Sequence, residues 1–284
     1  MDNAQTDSYS ESNRPRAALR VLASLGRPVN AALRYIGGLS WLLADTVTWV
    51  WRSTVRKQVR FGRFAFYAQV VRIGVRSIGV IALVCGCIGF ILALQMAPPL
   101  EPFGQLEQVP TIIAIAVFRE MGPLISAIVL TGFAGAAIAA ELGTMVVGEE
   151  IEALTAHALN PVRFLVMPRT LATIACLTVL CVIGELVAVA SGWVVGVTML
   201  DVPSRIYLDN SIDALDIADF TTGLAKAGIF GMLIAIIACY NGLSVTGGAA
   251  GVGRATTQTV VHSIVAIIVT DLVFTTIFYA LGWT

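Results

Sequence analysis

Three ionisable side chains stand inside apolar sequence, where charge is costly: the adjacent pair Arg119 and Glu120, and Lys226. An ionised group in hydrocarbon is expensive unless it faces protein, water or a ligand, so these three are the first candidates for function. Two chemistries fit them. One is an ion-pair network, Glu120 with Arg119 or Lys226, that ties helices together. The other is a cavity whose cationic groups meet an anionic head group while apolar walls hold its tails. Glu185 and Asp271, single acids in later apolar runs, read as structural or helix-pairing groups.

A second charged feature is Gly148 to Arg169, GEEIEALTAHALNPVRFLVMPR, set between two of the longest apolar runs. On a helical wheel Ile151, Leu154 and Ala158 share one face and Glu149, Glu152 and Ala156 lie opposite, which predicts a short amphipathic helix. Asn160-Pro161 is expected to stop it, because the residue before a proline is pushed out of the α region and proline donates no backbone hydrogen bond. Other motifs imitate chemistry without supplying it. Cys85, Cys87, Cys176, Cys181 and Cys239 form no CxxC pair and have no histidine nearby in sequence, so they read as small apolar packers. The stretch Gly248 to Ala255 resembles the start of a phosphate loop but lacks the Lys and Ser/Thr that grip phosphate and magnesium. His157 and His262 are isolated. No catalysis, cofactor, metal or nucleic-acid partner is expected.

The solvent of the elements that must hold these groups follows from composition. With 57% hydrophobic and 13% charged residues and a mean hydropathy of +0.84, the chain reads as an integral membrane protein. About 20 apolar residues cross a hydrocarbon core of about 30 Å, and five stretches qualify: Ser77 to Ala97, ended by Pro98-Pro99; Val109 to Ala140, kinked at Arg119-Glu120 and Gly122-Pro123; Thr170 to Leu200; Phe220 to Tyr240; and Ala255 to Trp283. Net charge is zero, yet residues 1–76 carry 12 Lys and Arg against 4 Asp and Glu, an excess the rest of the chain reverses. With Arg163, Arg169 and Arg254 on the same side as that cluster and only Arg205 opposite, the positive-inside rule places the N-terminus and the 148–169 segment in the cytoplasm, and five spans place the C-terminus outside.

Leu33 to Trp51 could pass for a sixth span. Its flanking basic residues (Arg20, Arg27 and Arg34 before; Arg52, Arg56, Lys57, Arg60 and Arg63 after) and Trp41, Trp49 and Trp51 instead suit a helix lying among headgroups. The expected organisation is thus a polar, mostly disordered stretch over 1–30, an interfacial helical region over 31–63 and a five-span domain over 64–284, without a removable signal peptide. Small residues recur every four positions, at Gly132, Ala136 and Ala140, at Gly184, Ala188, Gly192 and Gly196, and at Gly223, Ala227, Gly231 and Ala235. Such stripes permit close helix packing within one subunit or across a dimer.

Several of these segments together resemble the MlaE (YrbE) family of lipid-transport permeases: Phe118 to Pro123 (FREMGP), Gly132 to Gly143 (GFAGAAIAAELG), the pairs Asn160-Pro161 and Pro168-Arg169, and Arg254 to Thr257 (RATT) followed by Thr259 to His262 (TVVH). The resemblance runs in order over about residues 60–284. It departs at Phe133, where many relatives have Arg, and at Asn160, where Asp is usual and helix-stopping chemistry is kept. It implies a permease subunit of an ABC transporter in the bacterial inner membrane, dimeric, working with a separate ATPase and a periplasmic MCE-domain protein, and moving phospholipids or related lipids between the inner membrane and the outer envelope. By the same resemblance Gly148 to Leu159 would be the coupling helix, with Glu149, Glu150, Ile151, Glu152, Leu154, Leu159, Asn160 and Pro161 meeting the ATPase, and Arg119, Glu120 and Lys226 would line a lipid cavity at the dimer interface. Two rivals remain: a proton-coupled secondary transporter using Glu120, Glu185 and Asp271, and a non-transporting membrane scaffold.

Overall fold

The computed structural model describes residues 14–54 and 63–282, and all of the regular structure among them is helical. The chain divides into two units, Met1–Ala44 and Asp45–Thr284. Helix α1 (Arg14–Thr54) supplies the described part of the first and enters the second with its last turns. It starts within the stretch expected to be mostly irregular, and it exposes Val29, Leu33, Ile36 and Trp41. Arg56, Lys57, Arg60 and Trp283 lie outside the described residues.

Five helices of the second unit are long and apolar enough to cross a membrane: α2 (Phe64–Phe103), α3 (Leu106–Val147), α5 (Val162–Thr198), α7 (Ile217–Leu243) and α8 (Gly248–Ala280). Two short helices join them, α4 (Glu150–Ala156) between α3 and α5, and α6 (Ser204–Asp213) between α5 and α7. The chain is a multi-pass, all-α membrane protein. Each span overruns its apolar stretch at the N-terminal end, while the third and fifth close before the expected Leu200 and Trp283, because backbone hydrogen bonding, and not apolarity, decides where a helix ends. Pro98-Pro99 does not end the first span: the N–H of Glu101 donates to the carbonyl of Ala97, and the helix closes at Phe103.

Prolines leave a different mark. The N–H of Gly122 bonds the carbonyl of Val117, five residues back, immediately before Pro123, and Met167 does the same to Val162 immediately before Pro168. A proline ring collides with the carbonyl four residues earlier, and a widened π turn makes room for it without breaking the helix. The expected interruption of the second span is therefore a π turn over Val117–Met121, with a second over Thr131–Gly135.

Helix α5 packs along α2 and α7, and α7 is flanked by α8 and the C-terminal part of α3. The stripes of α5 and α7 pack within the subunit, whereas Gly132 of the α3 stripe is exposed with nothing within 4 Å. A methyl group on Gly223 would stand 2.2 Å from the carbonyl oxygen of Phe118, and one on Gly89 would stand 2.0 Å from that of Ala188. Gly192 and Gly196 of α5 leave the space that the buried Tyr207 of α6 fills.

Candidate functional site

The π turn before Pro123 turns Arg119 and Glu120 toward α7 and α8. Lys226, on α7, is fully buried, and its ammonium donates to Glu120 Oε1 at 2.7 Å and to Thr275 Oγ1 at 3.0 Å. Thr275 in turn donates to the same Glu120 oxygen at 2.7 Å. Asp271 Oδ1 lies 3.0 Å from the ammonium, off the hydrogen-bonding direction. One cation thus holds two carboxylates across α3, α7 and α8, the arrangement that compensates a charge withdrawn from water. Phe278 adds a ring face 6.0 Å from the ammonium.

Arg119 pairs with an acid that the sequence reading did not name. Its Nε and Nη2 both donate to Asp219 Oδ1, while Asp219 Oδ2 accepts from the backbone N–H of Asp216 at 3.4 Å. Asp219 sits in the first turn of α7 and is buried, so a helix start and an interhelical ion pair share one carboxylate. Beside it an open recess of about 410 Å³ is lined by Arg119, Asp216, Ile217, Asp219, Thr221 and Gly282. Of the three residues singled out, Glu120 and Lys226 touch each other and Arg119 faces this recess.

Glu185 stands apart, buried in α5 against Gly122. Cys181 Sγ donates to its Oε1 at 3.0 Å, and Oε2 has no hydrogen-bond partner. At the opposite end of the spans a second ion cluster joins α2, α3 and α5: Glu141 lies 2.6 Å from Arg72 and 3.0 Å from Arg169.

Helix α4 is shorter than the wheel reading required, and Ala158 does not continue its apolar face. Ala158 takes a left-handed conformation (φ 57°), Leu159 N–H reaches back to the carbonyl of Leu154 at 3.0 Å, and Ala158 N–H to that of Thr155 at 2.9 Å. This is a Schellman closure with alanine where glycine is usual. Asn160-Pro161 therefore does not stop α4. Asn160 Oδ1 accepts from the N–H groups of Val162 at 2.9 Å and Arg163 at 3.3 Å, so the pair starts α5, as a cap followed by a first-turn proline. Ile151, Leu154 and Leu159 are half-buried, and Glu149, Glu150 and Glu152 are exposed. Arg163 lies over the rings of Trp49 and Phe164, at 5.9 and 5.0 Å.

Among the described residues this is a helix-only membrane domain with paired charges at one end and a capped helix between its second and third spans at the other. A profile of the family described as Permease MlaE matches residues 66–277. A probable ABC transporter permease protein of Rickettsia bellii is 34% identical over 92% of this chain and 98% of its own length. One from Rickettsia felis is 38% identical over 74% of this chain and 82% of its own. A plant relative, protein TRIGALACTOSYLDIACYLGLYCEROL 1, chloroplastic, of Arabidopsis thaliana, is 32% identical over 81% of this chain and 62% of its own length. The chain belongs to the MlaE permease family. An ABC-transporter permease implies an ATPase partner.

Proposed function

We propose that this chain is the membrane subunit of an ABC transporter that moves phospholipids or related lipids between the inner membrane and the outer envelope of a bacterium. It works as a dimer, with hydrolysis on a separate ATPase and an MCE-domain protein on the outer side. The N-terminus and α4 face the cytoplasm, and the C-terminus faces the periplasm. The plant relative, whose name carries a galactolipid, supports a lipid cargo. The observation that carries the reading is Arg119, a cation anchored by Asp219 at an open recess of mixed polar and apolar lining, next in sequence to the Glu120 that holds Lys226. Arg119 meets the lipid phosphate first. Lys226 is sealed behind Glu120 and reaches a headgroup after that pair opens. Helix α4 seats in the ATPase through Ile151, Leu154 and Leu159, with Glu149, Glu150 and Glu152 at its rim and Asn160-Pro161 fixing its exit.

The test is Arg119→Gln in the assembled complex. Native mass spectrometry is expected to show fewer bound phospholipids and lipid transfer is expected to fall, with the ATPase still attached. Unchanged lipid with lowered stability would assign Arg119 to helix pairing alone and remove it from the transport path.

A further inference from the structure

The ion cluster at the other end of the spans borders a separate recess. It is lined by Gln69, Arg72, Arg76, Phe133, Ala137 and Glu141, among others, between α2 and α3. Its volume of about 140 Å³ is roughly ten times the 10–15 Å³ that one water needs. Three arginines, Arg72, Arg76 and Arg169, stand around the single carboxylate of Glu141. That carboxylate engages Arg72 and Arg169, and Arg76 is exposed with no acidic partner among the described residues. Two positive charges are left over, and the buried Oε1 of Gln69 at the recess wall has no hydrogen-bond partner.

The depth of this recess bears on what fills it. Arg76 is the last charge before the uncharged stretch Ser77 to Ala97, so it sits at the headgroup end of the first span. On the hydrocarbon side of it α2 exposes Ile78, Val80 and Leu83, an apolar strip, while Phe64 and Tyr67 stand exposed on the other side, where aromatic rings suit the interface. A basic pocket between spans, open sideways next to exposed apolar side chains, fits the phosphodiester of an anionic lipid whose tails lie along that strip.

We propose that Arg72 and Arg76, with Gln69 and the Glu141–Arg169 pair behind them, form a site for the headgroup of an anionic phospholipid in the leaflet nearest the α3–α5 connection. The site is distinct from the Arg119 recess and does not depend on the transport reading. Gln69 accepts a hydrogen bond from a headgroup hydroxyl, Arg76 pairs with the phosphate, and Arg72 shares itself between phosphate and Glu141. A neutral lipid leaves the excess charge uncompensated.

The full-length chain in detergent, titrated separately with phosphatidylglycerol, phosphatidylcholine and inorganic phosphate, tests this by native mass spectrometry and thermal unfolding. Phosphatidylglycerol is expected to be retained over phosphatidylcholine. Arg76→Gln, which removes a charge, and Ala137→Leu, which fills the recess at unchanged charge, are each expected to weaken that retention about fivefold. Arg205→Gln, at an exposed arginine of α6, leaves it unchanged. Equal retention of the two lipids overturns the proposal, as does retention unaffected by both recess variants. Stabilisation by inorganic phosphate alone, abolished by Arg76→Gln with no preference between lipids, would assign the site to free phosphate and overturn the lipid assignment.

Discussion

Replacing Lys226 by Met would expose how the charges inside this bundle are balanced. The lysine is fully buried and holds Glu120 and Asp271, whose side chains are 28% and 14% exposed. Met keeps the length and apolarity of the stem but removes the cation, leaving two carboxylates facing each other with Thr275 as the remaining donor. Breaking a buried pair by removing one partner costs about 3–5 kcal/mol. An independent bound comes from neutralising one ordinary carboxyl at pH 7, about 4 kcal/mol. Glu120→Gln should cost less, about 1–2 kcal/mol, because the amide oxygen still accepts from Lys226 and Thr275 while Asp271 keeps the ammonium paired. Asp271→Asn should cost less again, since its oxygen makes no aligned hydrogen bond. The combined Lys226→Met, Glu120→Gln, Asp271→Asn protein should recover much of the loss, because no uncompensated charge remains. Thermal unfolding of the purified chain in detergent reads the order wild type, Asp271→Asn, Glu120→Gln, Lys226→Met from highest to lowest midpoint. A Lys226→Met protein as stable as the wild type, or a single acid replacement more damaging than loss of the lysine, would refute the balance described.

Leu154→Arg, on the half-buried face of α4, should abolish co-purification of the ATPase while the chain still inserts, and retained partner would give α4 another task. At the ends of the connection, Ala158→Gly should stabilise by up to about 1 kcal/mol by relieving a left-handed alanine, and Asn160→Ala should destabilise by about 1 kcal/mol through loss of the α5 cap; both are read from unfolding midpoints. Tyr207, outside the spans, is buried with no partner for its hydroxyl, and burial pushes its phenol up to about 12 from the usual 10. Its contribution is fully present below pH 10 and is lost as pH rises toward 12, so Tyr207→Phe should equal or exceed the wild type at neutral pH and flatten the alkaline decline in stability.

The five spans were legible because a run of uncharged residues long enough to cross hydrocarbon has few other uses, and every overrun falls at the ends, where capping decides. The proline marks were half legible: Gly122-Pro123 announced an interruption, Pro168 was not read as one, and the form of both, a widened turn that makes room for the ring, was not foreseen. Of the two partners the sequence offered Glu120, Arg119 or Lys226, it is Lys226 that it meets. Asp219 was missed because it closed a run of acids read as an outer loop. Its signal was nevertheless in the chain, since Asp216 and Asp219 stand three apart at the head of an apolar run, which places Asp219 in the first helical turn, seven residues before Lys226. Asn160-Pro161 was read for stopping power alone. The same two residues suit the start of a helix as well, and the left-handed Ala158 that closes α4 carries no sequence mark.

The unbroken helix from Leu106 to Val147 gives the connection a mechanical meaning. At 1.5 Å per residue, Glu120 and Val147 are separated by about 40 Å of continuous rod, and two residues beyond Val147 the backbone turns left-handed at Glu149 to enter α4. Ala158 closes the far end with a second left-handed residue, and Asn160 fastens the next span at once. The short helix therefore hangs like a stirrup between two stiff straps, with little slack to absorb a push. A displacement applied to it is expected to reach the Arg119-Glu120 end along α3, with the π turns at Thr131–Gly135 and Val117–Met121 as the places where that helix bends.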